Sequence, residues 1–491
     1  MKAAGLIFLA VACRAGFAAE VAKPLEVKGL LEKKAWEESV GGKAAAREII
    51  RNRLRGWPKP VRVDGKSLPR ADRDFLLRIA ADTWRGLDAF TDRYNGLPVD
   101  RVEFGNEPVA RESARVGDYT SGTNIGFSFL AVTAAYELEL ISRDQAVQRL
   151  ALTLATLDRL ETYQGFFFNH YDTTVLGRTS DFVSFVDSAW LTAGLIVTRR
   201  AFPELAEAST RLIEQGDYRF FYDAELGVMS HGYDVRSQRR SRYHYGVFYT
   251  ESRLGSLIAI GKGDVPETHW FRMARTFPPE VQWQARPPLG RTEKMGGGFR
   301  WIGGHYRWRG QNYVPSWGGS LFEALMPRLL LDEKRYAPDS LGRNGKIHAA
   351  VHRLYALEYL GYRVWGMSPS SAPRGTPYSE YGVRLLGVAG YKSGIVSPHA
   401  AALALLATPV EATANLRTLA ELYPLYGDFG FFDSVDPRSE GVSHTFLYIN
   451  QAMTLVALAN HLQDHAIQKL FISDSAVQRV LPLLAIEEFD K

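Results

Sequence analysis

From about Asp72 onward, apolar residues recur every three or four positions in segments of a dozen or more residues, with Gly, Pro and aromatic residues crowding the gaps. That period belongs to helices. The clearest stretches are Phe75–Phe90, Asn124–Leu140, Arg143–Thr162, Val183–Arg199 and Pro203–Gln215. Further ones follow near Thr250–Ile260, Gly319–Leu331, Ile347–Leu360, Pro398–Leu406, Pro409–Leu422, Tyr448–His461 and Ser475–Leu484. Ser142 with Gln145 three residues later fits a capping box, which sets one helix start. The stretches Ile125–Ala135, Val186–Val197, Leu254–Ile260 and Ala400–Leu406 are apolar nearly all round, as an inner layer requires, whereas the charged Arg143–Arg159 suits an outer one. No long set of alternating strands and no fixed-period repeat is present. The pattern predicts an all-α fold: helices in pairs forming a closed α/α toroid, with long loops on one side. The glycine- and aromatic-rich stretch Met295–Asn312 is expected to form turns and a small hairpin over a cleft.

Composition narrows this picture. With 491 residues, 46% hydrophobic and 23% charged, the chain buries one large core or two ordinary ones, which excludes disordered and collagen-like classes. Residues 1–19 read as an export signal, because the apolar run Leu6 to Cys13 is too short to span a bilayer and small residues follow it. Cys13, after Ala10-Val11-Ala12, offers a lipid anchor as the alternative, and it is the only cysteine in the chain. A periplasmic or secreted protein without disulfides or a thiol nucleophile is expected. Residues 20–70 form a charged lead-in with a solvated helix ended by Trp57-Pro58-Lys59-Pro60, and residues 71–491 form the main domain. The net charge of +5 falls to +3 without Lys2 and Arg14, too slight a balance to imply nucleic acid. No later segment is apolar enough to span a membrane.

The chemistry-bearing residues cluster around carboxylates beside aromatic rings. In FYTESRLGSLIAIGKGDVPETHWFR, from Phe248, Glu251 sits between Phe248-Tyr249 and the start of an apolar helix, and His269-Trp270-Phe271-Arg272 offers a surface that grips sugar rings. Desolvation by the rings would raise the pKa of Glu251 and keep it protonated; the alternative is a helix-start acid paired with Arg253 or the helix dipole. Asp187, in FVSFVDSAWL, and Glu323, in WGGSLFEAL, are also acids in apolar helices, and buried acids need a partner or a purpose. Asp172, Glu380 and Asp433 stand in aromatic loops suited to sugar hydroxyls, though turn capping explains each equally well. Trp190, Trp270, Trp301, Trp308, Trp317 and Trp365 are candidate stacking rings or core. His461 and His465 have helical spacing, but HLQDH lacks the glutamate of a zinc-protease motif and a third ligand, so no metal is expected. No nucleotide-binding fingerprint or nucleophile elbow is present, and hydrolysis needs no cofactor.

Four segments in order, TSGTNIGFSFL from Thr120, GFFFNHYDT to FVSFVDSAWLTAGL from Gly165, the Phe248 segment, and SWGGSLFEALMP from Ser316, resemble the glucoamylase-like superfamily. That superfamily includes endo-β-1,2-glucanases and the non-glycosyltransferase regions of cyclic β-1,2-glucan synthases. VWGMSPSS, GIVSPHAAALALLATP, YGDFGFFDS and QAMTLVALAN extend the resemblance over about residues 118–485. It implies an (α/α)6 barrel and a β-linked glucan substrate, particularly β-1,2-glucan. It also implies catalysis by Glu251 as acid, with Glu323 or Asp187 as second carboxylate. Two departures stand out. Related phosphorylases carry His-His-Gln-Gly where this chain has Ile449-Asn450-Gln451-Ala452, and the synthase pattern Trp-Gly-Ile-Ser-Glu-Ser becomes Trp365-Gly366-Met367-Ser368-Pro369-Ser370. A retaining transglycosylase and a non-catalytic glycan-binding envelope protein are the alternative readings.

Overall fold

Serine side chains start several of the helices. Ser121 Oγ accepts from the Asn124 amide, Ser184 Oγ from the Asp187 amide, and Ser142 with Gln145 and Ser320 with Glu323 form complete capping boxes. Each cap satisfies an amide that the first helical turn leaves without a partner. In the computed structural model the described residues are 27–57, 61–105, 109–278, 287–373 and 376–489. The expected signal segment and Cys13 lie outside them.

Six helices form an inner layer: Gly122–Glu137, Phe185–Ala201, Arg253–Lys262, Leu321–Leu325, Pro398–Ala404 and Tyr448–Leu462. Their residues are buried on almost every side. Gly122–Glu137 packs on Phe185–Ala201, which packs on Arg253–Lys262; Leu321–Leu325 packs on Pro398–Ala404, which packs on Tyr448–Leu462, which returns to Gly122–Glu137. Arg253 joins Arg253–Lys262 to Leu321–Leu325 by donating to the carbonyls of Glu323 and Ala324 at 3.0 and 2.7 Å. Each inner helix has an outer companion: Arg143–Leu157, Ala206–Glu214, Ser475–Leu484, Arg343–Leu354, Pro409–Leu422 and Asp72–Ala89, in the order of the inner helices given above. Truncating one inner-layer leucine such as Leu130, fully buried, would cost about 2–5 kcal/mol.

The first two inner helices cross at very close range. A Cβ on Gly126 would lie 2.3 Å from the Trp190 carbonyl oxygen, and one on Gly194 would lie 2.4 Å from that of Gly126. Only glycine fits at either position, because both obstacles are backbone.

The all-α expectation is corrected by short antiparallel strands, none longer than four residues among the described ones. Tyr119–Ser121 pairs with His170–Asp172, Phe182–Ser184 with Gly232–Asp234, and Arg101–Glu103 lies between Arg115–Gly117 and Thr445–Leu447. Three of these strands, Tyr119–Ser121, Phe182–Ser184 and Thr445–Leu447, run directly into inner helices. Helical periodicity leaves such pieces invisible, since alternation needs more residues to register. The Met295–Asn312 stretch forms the pairs Glu293–Gly296 with Phe299–Ile302 and Tyr306–Trp308 with Gln311–Tyr313. It does not cover the cleft: Phe299 and Trp301 pack on Phe271 instead.

The lead-in also differs from expectation. Its helices Lys28–Ser39 and Lys43–Arg53 are docked, with Ala46 and Ile50 buried and Lys33, Arg53 and Glu48 paired to Asp172, Asp92 and Arg111. Pro58 to Pro60 lie outside the described residues. No helix among the described residues is long and apolar enough to cross a membrane.

Candidate active site

The strand-to-helix junctions open onto a cavity of about 540 Å³. Its apolar lining is Val186, Trp190, Phe322, Met326, Leu447 and Ile449. Its polar lining includes Asp100, Asn124, Asn169, His170 and His231, and Tyr119 and Tyr378 add hydroxyl-bearing rings. Rings with an apolar face and hydroxylated edges match such a mixed lining. Tyr378 is 46% exposed, which leaves its ring accessible at the cavity.

Three carboxylates line this cavity: Asp100, Asp187 and Glu251. Asp100 accepts from the Asn124 side chain at 3.0 Å. Glu251 stands in the turn before Arg253–Lys262, and its pKa is raised from 4.5 to about 8, first by burial and then by the negative charge of Glu323; Arg253 pulls the other way. Asp187 belongs to the first turn of Phe185–Ala201, where one of its oxygens accepts from the Thr123 amide at 3.2 Å and the Thr123 hydroxyl at 2.6 Å. Thr123 comes from the neighbouring inner helix, so the Gly126/Gly194 crossing brings this donor to Asp187. His231 stands on the same cavity, its pKa lowered by burial.

Glu323 is placed differently. Fully enclosed, its carboxylate accepts from the amides of Gly318 and Ser320 and the hydroxyls of Ser316 and Ser320, at 2.7–3.1 Å. Those donors occupy the lone pairs that substrate or water would need. Burial still raises its pKa, against these hydrogen bonds. Its neighbours Phe322 and Met326 reach the cavity; Glu323 acts on Glu251 through its charge.

Arg253 fixes these segments relative to each other. Its fully buried guanidinium pairs with Glu333 at 2.8 Å and donates to the Thr250 carbonyl as well as to Glu323 and Ala324, while stacking over Tyr249. It thereby binds the backbone on either side of the Glu251 and Glu323 positions. An ion pair this deep is worth most as geometry, and breaking one side alone costs about 3–5 kcal/mol.

The other expected site residues, Trp190 apart, do not line this cavity. Asp172 is buried behind the cavity wall, paired to Lys33 at 3.1 Å and accepting from the amides of Thr174 and Val175. Asp433 accepts from the Ser371 amide and the Asn450 side chain, and burial pushes it up to about 7. Trp270 packs edge-on against Phe248 in the core, and Trp365 is buried with its backbone held by Asn415. Trp317 packs on a small cluster of Val247, Phe277 and Val388. Glu380 is an exposed residue beyond the strand that carries Tyr378, hydrogen-bonded to Tyr391. Of the expected ligands, Trp190 does line the cavity, stacked on Phe127 at 5.2 Å. Tyr378, Tyr119, Asn169, His170 and His231 were not anticipated, because short-strand pairing brings most of them there.

The Glycoamylase family model matches residues 301–475. The cyclic beta-(1,2)-glucan synthase NdvB of Rhizobium meliloti is 24% identical over an alignment that covers 83% of this chain and 18% of that protein. The exo beta-1,2-glucooligosaccharide sophorohydrolase (non-reducing end) of Parabacteroides distasonis is 22% identical, covering 85% of this chain and 58% of that one. The chain resembles the glucoamylase-like superfamily. It spans about a fifth and somewhat over half of these two relatives. The chain also shares its fold with the endo-beta-1,2-glucanase of Chitinophaga pinensis, solved with sophorotriose and glucose: TM-score 0.65, 17% identity, 85% of this chain and 99% of that one.

Proposed function

We propose that this protein is a glycoside hydrolase that cleaves a β-linked glucan, with β-1,2-glucan as its substrate. The observation that carries the reading is the cavity lined by both Glu251 and Asp187, one carboxyl with its pKa raised by burial and the other bound by two donors, among apolar and polar side chains. In this reading Glu251 gives its proton to the glycosidic oxygen as that bond breaks. Asp187 either takes a proton from the water that attacks the anomeric carbon or attacks that carbon itself, giving an ester that water then cleaves. Glu323 keeps the proton on Glu251. The linkage is inferred from the relatives, which are named for β-1,2-glucan.

The cycle of inner helices, each with its outer companion, supports an (α/α)6 barrel as the frame. A body of residues 71–491 and export through the first 19 residues belong to the same proposal, with a lipid anchor at Cys13 as its variant. Retaining transglycosylation is the second reading, favoured by the match to a glucan synthase.

The test is product analysis on linear β-1,2-glucan, beside β-1,3-glucan and α-glucan, with Glu251→Gln as the blank. Short β-1,2-gluco-oligosaccharides from the wild type alone support hydrolysis. Longer or cyclic products move the assignment to transglycosylation, and no change in any glucan overturns it. The anomer released first, read by NMR, then distinguishes retention, which goes with carboxyls about 5 Å apart, from inversion, which needs roughly 6.5–9.5 Å.

A further inference from the structure

The helix Lys28–Ser39 carries Lys33, whose side chain is 14% exposed and ion-paired to both Asp118 and Asp172. Those acids are 10% and 6% exposed. Two carboxylates this close repel each other out of water, and an ammonium between them offsets that repulsion. Asp118 also accepts from the hydroxyls of Thr173 and Thr174, and Asp172 closes a turn through the Thr174 and Val175 amides. The helix is seated tightly here: a Cβ on Gly29 would fall 2.3 Å from the Arg178 carbonyl oxygen.

Both acids flank one strand pair. Tyr119–Ser121 and His170–Asp172 run antiparallel, with Tyr119 opposite Asp172 and Ser121 opposite His170. Tyr119, Ser121 and His170 line the cavity. Ser121 caps Gly122–Glu137, and two residues later Thr123 donates to Asp187. A short stretch of chain thus leads from Asp118 to the partner of the second carboxylate.

We infer that Lys33 is a positioning residue for the glycan site: its ammonium, by pairing with Asp118 and Asp172, locks the Tyr119–Ser121/His170–Asp172 wall and the Thr123 donor in place. This rests on the glucanase reading for its consequence but not for its geometry. The amino-terminal helix is then part of the site's frame, although none of its residues lines the cavity.

The experiment compares full-length wild type, Lys33→Met and the triple variant Lys33→Met/Asp118→Asn/Asp172→Asn by amide hydrogen exchange and by binding and turnover of a linear β-1,2-gluco-oligosaccharide. In Lys33→Met, exchange should rise locally in 119–123 and 170–175, KM should rise about tenfold, a 1.4 kcal/mol effect, and kcat should fall less. The triple variant should return both toward wild type, because it removes the charges that lost their counterion. Unchanged local exchange with unchanged binding overturns the inference, as does a uniform rise in exchange that the triple variant does not reverse. If Lys33→Met does not fold, the triple variant decides alone: folded with wild-type local exchange supports the lock, and unfolded overturns it. The exchange readout stands even if the wild type cleaves no β-glucan, so the two readings fail separately.

Discussion

A carboxyl with a pKa of about 8 is protonated at neutral pH, and Glu251 in that state has a proton to give. Glu251→Gln should lower turnover by about 10²–10⁴-fold while leaving oligosaccharide binding near its wild-type value by calorimetry. Its effect on stability has a definite sign. Folding raises Glu251 from 4.5 to about 8, so its contribution is whole below about pH 4.5 and is lost as pH climbs through 8. The glutamine variant escapes that loss, and should melt higher than wild type near pH 8 but alongside it near pH 4.5. Glu323→Gln removes the charge that helps hold the proton on Glu251. The alkaline limb of kcat against pH should then move to lower pH, an outcome that a purely structural Glu323 would not produce. That Glu251 and Asp187 stand on the cavity was legible because an acid in an apolar run must have a partner or a task. Glu323 gave the same signal, yet the Ser320 to Glu323 spacing is itself a capping-box signature that explains it. Asp172 likewise precedes the amides that it caps.

The helices themselves were readable where they are long, as at Gly122–Glu137, Arg143–Leu157, Phe185–Ala201 and Tyr448–Leu462. Where the predicted span was Gly319–Leu331, a five-residue helix gives way at Met326-Pro327 to a tighter turn, since proline cannot donate to the preceding turn. The predicted Ile347–Leu360 begins earlier, at Arg343, and ends in a π-helical turn, Tyr355–Tyr359. Tryptophans in the core and in the cavity carry the same sequence signal, so Trp190 could not be told from Trp270. The close crossing of two inner helices sets a sharper test. Gly126→Ala and Gly194→Ala should each lose about 1–3 kcal/mol in denaturant unfolding, because backbone carbonyls cannot swing aside, and both should lower kcat through the Thr123 to Asp187 contact that the crossing holds.

Across the molecule, Arg101–Glu103 is hydrogen-bonded to Thr445–Leu447, and Tyr448–Leu462 packs on both Asp72–Ala89 and Gly122–Glu137. A chain that stops before Thr445 leaves one apolar flank of Gly122–Glu137 uncovered and one edge of Arg101–Glu103 unpaired. Such a truncation should lose its near-ultraviolet circular dichroism and elute as aggregate in size exclusion. Contacts so distant along the chain demand a large loss of loop entropy before they repay it, and they slow folding. During synthesis, Gly122–Glu137 emerges more than three hundred residues ahead of Tyr448–Leu462, so the flank that this later helix covers stays open to water until then. The yield of folded protein then depends on how long that flank stays uncovered during synthesis.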